Sequence, residues 1–181
     1  MEIVRDPKQV ERLAQERKDE NWDFRAWIKG YGPDEDELND LVQELADQVW
    51  SEIDCTECAN CCRVTSTRVV PDEFVPLARA LTLSIEELKA TVLQFETEEE
   101  QGWKLPYPCP LLEGNLCRVY DDRPQECRDY PNLPTDFRSH SISRFTNAEI
   151  CPIVFNVIEA LKHELRWPGL RRWRGRSRHL R

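Results

Sequence analysis

Apolar side chains recur at helical spacing in three parts of the chain. Asp6 and Pro7 form an N-cap and first-turn proline, and Val10, Leu13 and Ala14 follow at helical intervals, which predicts a first helix ending near Asn21. The segment 34–53 has the clearest 3.6-residue period, with Leu38, Leu41, Val42, Leu45, Val49, Trp50 and Ile53 on one stripe and acids in the first turn, where the helix dipole favours them. A third stripe, Val154, Val157, Ile158, Leu161 and Leu165, follows Pro152 at a first-turn position.

Between these stripes the pattern is shorter and more broken. The aromatic stretch NWDFRAWIKGYG, with Trp22, Phe24, Trp27 and Tyr31, reads as a connector closed by Gly32 and Pro33, its rings packing on the domain. TSTRVV reads as a short strand, Asp72 opens a brief helix through Leu81, and Ser84 with Glu87 forms a capping-box pattern for a helix through Phe95. The acidic run 96–102 reads as a loop, and six prolines punctuate 103–139, where little regular structure is expected. The fold class is therefore α+β, mainly helical, with an irregular cysteine-rich centre organised around metal. Three regions are expected: an acidic helical region 1–54, a cysteine-cluster domain 55–165 and an Arg-rich tail 166–181.

A chain of 181 residues can bury a core without staples, so its cysteines need another explanation. The first twenty residues are charged throughout and lack the apolar stretch of a signal peptide, and no segment approaches the roughly 20 apolar residues needed to span a bilayer. A soluble, cytoplasmic protein is expected, in a compartment where thiols stay reduced and dense cysteines point to metal or catalysis rather than disulfides. The net charge of −9 is uneven: residues 1–57 hold 17 Asp/Glu against 7 Lys/Arg. Such an acidic pole disfavours general nucleic-acid binding through the phosphate backbone.

The chemistry lies in eight cysteines. Cys55, Cys58 and Cys61 have C-x2-C-x2-C spacing, short enough for one loop to direct three thiols at one centre, and Cys62 doubles the last. Adjacent side chains point in different directions, so Cys61 and Cys62 are not expected to serve one mononuclear ion together. Cys109, Cys117, Cys127 and Cys151 follow at wide spacing, unlike the second C-x2-C of a zinc ribbon. Cys151 precedes the last predicted helix, whose N-terminal dipole favours a thiolate. Eight soft donors with three histidines, His140, His163 and His179, favour zinc or an iron–sulfur cluster over hard cations. All eight cysteines are thus candidate metal ligands.

The motifs CTECANCC at 55–62, CPLL at 109–112 with CRVY at 117–120, RPQECRDYP at 123–131 and CP at 151–152 together resemble the cysteine-cluster (CxxCxxCC) family of zinc- or iron-chelating domains, which includes a flagellin lysine N-methylase. The resemblance covers about 55–152 and implies metal or iron–sulfur binding by these cysteines, without fixing a shared reaction. The six glycines, at 30, 32, 102, 114, 169 and 175, form no Gly-rich cofactor loop, which argues against a self-contained methyltransferase.

Other groups stand beside the thiols. The planar forks of Arg123 and Arg128 can hold a carboxylate, offset thiolate charge, or pair with Asp121, Asp122 or Asp129. Tyr120 and Tyr130 are candidate proton donors or packing groups. From Leu165 onward the chain has seven arginines, two tryptophans and no acid, a composition suited to an acidic protein, RNA or an anionic surface. The sequence thus points to a metal-binding protein with two readings. One is an iron–sulfur protein with a redox or methyl-transfer-related role, in which Cys61 or Cys62 is the spare reactive thiol. The other is a noncatalytic zinc-binding interaction module.

Overall fold

The computed structural model describes residues 2–96 and 102–170. Thr97–Gln101 of the acidic run, and residues 171–181 with most of the Arg-rich tail and His179, lie outside the described residues. In chain order the helices α1 (Pro7–Glu16), α2 (Lys18–Tyr31) and α3 (Glu35–Trp50) precede two short helical segments, α4 (Cys55–Cys58) and α5 (Asn60–Val64). Strand β1 (Thr67–Val69), helices α6 (Phe74–Leu81) and α7 (Ile85–Thr91), and strands β2 (Gln94–Glu96) and β3 (Gly102–Leu105) follow. The chain continues through β4 (Leu112–Glu113), β5 (Leu116–Cys117), α8 (Gln125–Asp129), α9 (Ser141–Asn147) and α10 (Pro152–Glu164). The protein is mainly helical with small sheets, as the hydrophobic pattern predicts. Among the described residues no helix is long and apolar enough to cross a membrane.

The chain forms two compact units, one built from Met1–Asp54 with Pro131–Arg181 and the other from Cys55–Tyr130. The first unit is a helical core. Asp6 caps α1 by accepting from the Lys8 N–H at 3.1 Å, and Val10 and Ala14 bury against Phe155 of α10. The stretch expected to be an aromatic connector is instead helix α2. Its Phe24 and Ile28 are buried, and Phe24 packs against Trp27, Phe145 and Trp167 at 5.3–6.1 Å between ring centroids. Gly32 ends this helix where a Cβ would lie 2.8 Å from the Ile28 carbonyl oxygen, so only glycine fits.

Asp34 caps α3 at 2.9 Å through the Glu37 N–H, and the predicted apolar stripe faces α10. Helix α10 is buried almost all round, which is why it carries polar side chains with dedicated partners. The fully buried Lys162 ammonium lies 2.8 Å from Glu20 and 2.7 Å from Glu159, and Arg17 also pairs with Glu159. The Asn156 amide binds both backbone groups of Val4, fixing the N-terminal segment at 3.0 and 2.8 Å.

The second unit is built on a three-stranded antiparallel sheet, ordered β1-β3-β2, with Thr67 opposite Leu105 and Gln94 opposite Lys104. Phe95, expected at the end of a helix, lies in β2 opposite Trp103, and their rings pack 5.1 Å apart. Strand pairing thus ends α7 at Thr91, although its Ser84–Glu87 capping box is as predicted. Leu77, Leu88, Leu105, Leu111 and Val119 form the centre of an apolar cluster against which Cys109 and Cys117 pack. A two-residue turn, Gly114–Asn115, joins β4 and β5; Gly114 has φ +62°, a conformation glycine adopts without a Cβ penalty.

Candidate metal centre

The C-x2-C-x2-CC motif folds as two helical turns separated by one left-handed residue. Ala59 has φ 48° and ψ 19° and is buried, so the backbone reverses between Cys58 and Asn60 although no glycine stands there. The Ala59 N–H closes α4 by donating to the Cys55 carbonyl at 3.0 Å. On the other side, the Thr65 N–H and hydroxyl both donate to the Cys61 carbonyl, at 2.9 and 2.7 Å. Cys55 is exposed, while Cys58, Cys61 and Cys62 are half-buried.

Three further segments bring thiols to this motif. The Cys109 N–H donates to the Cys62 carbonyl at 2.8 Å, joining residues far apart in the chain by a direct backbone bond. Cys117 ends the β4–β5 hairpin, opposite Leu112. Cys127 lies in α8, and its thiol donates to the Thr67 hydroxyl at 3.4 Å. Glu126 and Glu73 hold this arrangement from outside: Glu126 accepts from the Arg68 N–H, and Glu73 accepts from the N–H groups of Val70 at 2.8 Å and Gln125 at 2.6 Å.

The thiols feel one another electrostatically. A side-chain hydrogen bond from Cys61 brings the Cys62 thiol down to about 6, aided by the charges of Arg63 and Arg123 and opposed by partial burial. Burial pushes Cys109 and Cys117 up, and a negative charge on Cys62 pushes them in the same direction. Cys127 is driven up to about 11, first by burial and then by charge on Cys62, Cys109 and Cys117, against the hydrogen bond to Thr67. Cys62, Cys109, Cys117 and Cys127 therefore form one interacting group with one ionised member at neutral pH.

Two arginines border that group. Arg123 lies over the Tyr120 ring, 3.6 Å from its centroid, and its buried Nε has no hydrogen-bond partner. Tyr120 is thus a stacking platform, and Arg128 supports the same turn by donating from Nε to the Arg123 carbonyl at 2.7 Å. Arg63, which sequence reasoning passed over, donates from its guanidinium to the carbonyls of Cys58 and Gly114, each at 2.9 Å. Its only sequence signal is its place directly after the paired cysteines.

The remaining candidates lie in the first unit. Cys151 is buried at the N-cap of α10, as the proline after it predicts. His140 makes a local 3.2 Å contact through Nδ1 with the Asp136 carbonyl, and His163 is exposed near the end of α10.

No disulfide joins any of the eight cysteines among the described residues. Among the described residues no three His, Cys, Asp or Glu side chains stand in an arrangement that could hold a metal ion as they lie. The donor chemistry nevertheless fits a soft or borderline metal, because the interacting group is made of thiols and contains no carboxylate. The two nearby guanidinium charges suit a centre made negative by several thiolates.

Neither a curated protein nor a solved structure matches the chain. A family does: the CxxCxxCC family, described as "Putative zinc- or iron-chelating domain", matches residues 54–152, more than half of the chain and all eight cysteines. The chain belongs to this CxxCxxCC family of zinc- or iron-chelating domains.

Proposed function

We propose that the second unit is an iron–sulfur module of a cytoplasmic protein, with Cys62, Cys109, Cys117 and Cys127 as the core of its ligand set and Cys55, Cys58 and Cys61 on the adjoining turn. The observation that carries this reading is the supply of thiols. Seven of the eight cysteines lie in this one unit, more than the four that a mononuclear zinc site takes. An iron–sulfur cluster uses Cys thiolates throughout, and C-x2-C-x2-C is one of its recurring loops. When bound, such a cluster supplies a one-electron centre, suited to a redox role or to one related to methyl transfer. The chain's own part is to present the thiols, keep them partly shielded from water, and set Arg63 and Arg123 beside Cys62 as counter-charges. In this reading Cys61 is a supporting thiol, the donor that holds Cys62 ionised.

A second reading rests on the electrostatic grouping itself. Four mutually interacting thiols are the full complement of one tetrahedral zinc, and a noncatalytic zinc module would need no more. Purification without oxygen, a visible spectrum, and iron, zinc and acid-labile sulfide per chain separate the two. A coloured protein with iron and sulfide supports the cluster, and a colourless zinc-loaded protein overturns it in favour of the zinc module. Metal-free protein with paired thiols overturns both.

A further inference from the structure

A metal site assembled from distant loops can be organised by the metal itself, or set in advance by the protein. The contacts around Arg63 decide between these. The Ala59 turn is costly for a residue with a Cβ, so it persists only where its surroundings hold it. The carbonyl just before that turn, on Cys58, accepts from Arg63 at 2.9 Å. The same guanidinium reaches across to the β4–β5 turn, donating to the Gly114 carbonyl at 2.9 Å and to the Asn115 side-chain oxygen. Asn115 completes the link in the opposite direction: its side-chain amide donates to the Glu57 carbonyl at 2.6 Å. The turn carrying Cys55 to Cys62 and the hairpin carrying Cys117 are therefore clasped by three hydrogen bonds, two of them made by the Arg63 guanidinium, which a fourth bond ties to its own turn. No thiol takes part in any of them.

We infer that Arg63 and Asn115 are positioning residues that clasp the cysteine turn to the Cys117 hairpin before metal arrives, so that metal enters a prearranged site. The inference rests on the metal-binding reading for its consequence, while the clasp itself involves no thiol and so needs no metal to form. A planar, always-charged fork suits the task because it can satisfy two carbonyls and an amide oxygen at once. Lysine carries the charge but not the fork, so Arg63→Lys should restore little of the function.

The test uses the full chain with Arg63→Ala, Arg63→Lys and Asn115→Ala. Leu88→Ala serves as a control that weakens the apolar cluster without touching the clasp. Amide hydrogen exchange of metal-free protein is expected to show protection at Ala59 and Thr65 that is lost in Arg63→Ala and Asn115→Ala and kept in Leu88→Ala. Chelator competition with zinc is expected to show about 10- to 100-fold weaker binding in the clasp variants, the usual cost of removing a residue behind the ligands. Cobalt-loaded clasp variants should also shift their thiolate charge-transfer and d–d bands, which a purely structural loss would not do. Clasp variants with wild-type protection, or with no greater loss of affinity than Leu88→Ala, overturn the inference. Wild-type protein that takes up neither zinc nor cobalt overturns the metal-binding reading instead, and the exchange experiment still decides whether the clasp exists.

Discussion

Metal uptake should release fewer protons than there are thiol ligands. Adding zinc to metal-free protein at about pH 7.5 replaces thiol protons by metal, and the number displaced depends on how many thiols still carry one. Cys109 and Cys117 lie above the ordinary thiol value and Cys127 at about 11, so these three are protonated, whereas Cys62 at about 6 is already ionised. Coordination by all four should therefore release about three protons per zinc between roughly pH 7 and 8.5. Affinity should rise about a thousandfold per pH unit in that window, and more steeply below about pH 6, where Cys62 must also give up its proton. The direction follows because lower pH favours the protonated, metal-free form. An indicator dye in weakly buffered solution counts the protons, and chelator competition across pH gives the slope independently. Two variants sharpen the result. Cys127→Ser should remove about one proton from the count, while Cys62→Ser should weaken binding and leave the count unchanged. Release of about four protons by the wild type, or an equal drop in both variants, would refute the assignment of Cys62 as the ionised member.

Three further outcomes follow from the geometry. Lys162→Met should cost about 3–5 kcal/mol in urea unfolding because it strands the Glu20 carboxylate inside the helical unit, and Glu20→Leu added to it should recover most of that loss; purely additive effects would contradict a coupled network. Gly32→Ala should lower stability by about 1–3 kcal/mol, since the new methyl meets the backbone of Ile28 rather than a side chain able to turn away; an unchanged urea midpoint would contradict it. Arg123→Gln should raise the Cys62 thiol, so that in metal-free protein the pH midpoint of its alkylation by iodoacetamide moves up from about 6; an unaltered midpoint would show that the guanidinium does not act on it.

Helices α3 and α10 were legible because burial of one stripe leaves a 3.6-residue trace, and their caps, Asp34 and Pro152, use local chemistry that sequence displays directly. Helix α2 was not, for a physical reason. Its buried side includes Asn21 beside Phe24 and Ile28, and its exposed side carries Trp22 and Tyr31, so polarity no longer marks the inward face. Phe95 continues the apolar stripe of α7, yet its pairing with Trp103 draws it into β2, an outcome set by tertiary contact rather than local preference. At the thiol site, spacing exposed the Cys55–Cys62 turn but could not reveal that the Cys109 N–H meets the Cys62 carbonyl. Arg63 was invisible for a related reason: two of its three partners are main-chain carbonyls, which leave no signature in side-chain identity, and one of these lies 51 residues away.

Gathering four thiols would be self-defeating if all were ionised, since each new thiolate would repel the others in a partly desolvated site. Burial resolves this in the metal-free chain by holding Cys109, Cys117 and Cys127 protonated, and neutral thiols can pack against Leu111 and Val119 at little cost. The single ionised donor, Cys62, is the one placed beside two guanidinium groups and a donating neighbour, where its charge is compensated. A divalent cation entering this group therefore meets one charged ligand and three that it must deprotonate. The same burial that lets the thiols assemble without metal makes metal capture depend on proton release. Prearrangement by Arg63 and pH-dependent loading thus rest on different interactions, hydrogen bonds from a guanidinium and an amide in one case and burial of thiols in the other, and a variant such as Thr67→Val tests their separation. Without the Thr67 hydroxyl, which can turn to donate to the Cys127 thiolate, that thiol should move further up, and zinc affinity at neutral pH should fall while the Arg63 clasp keeps its exchange protection.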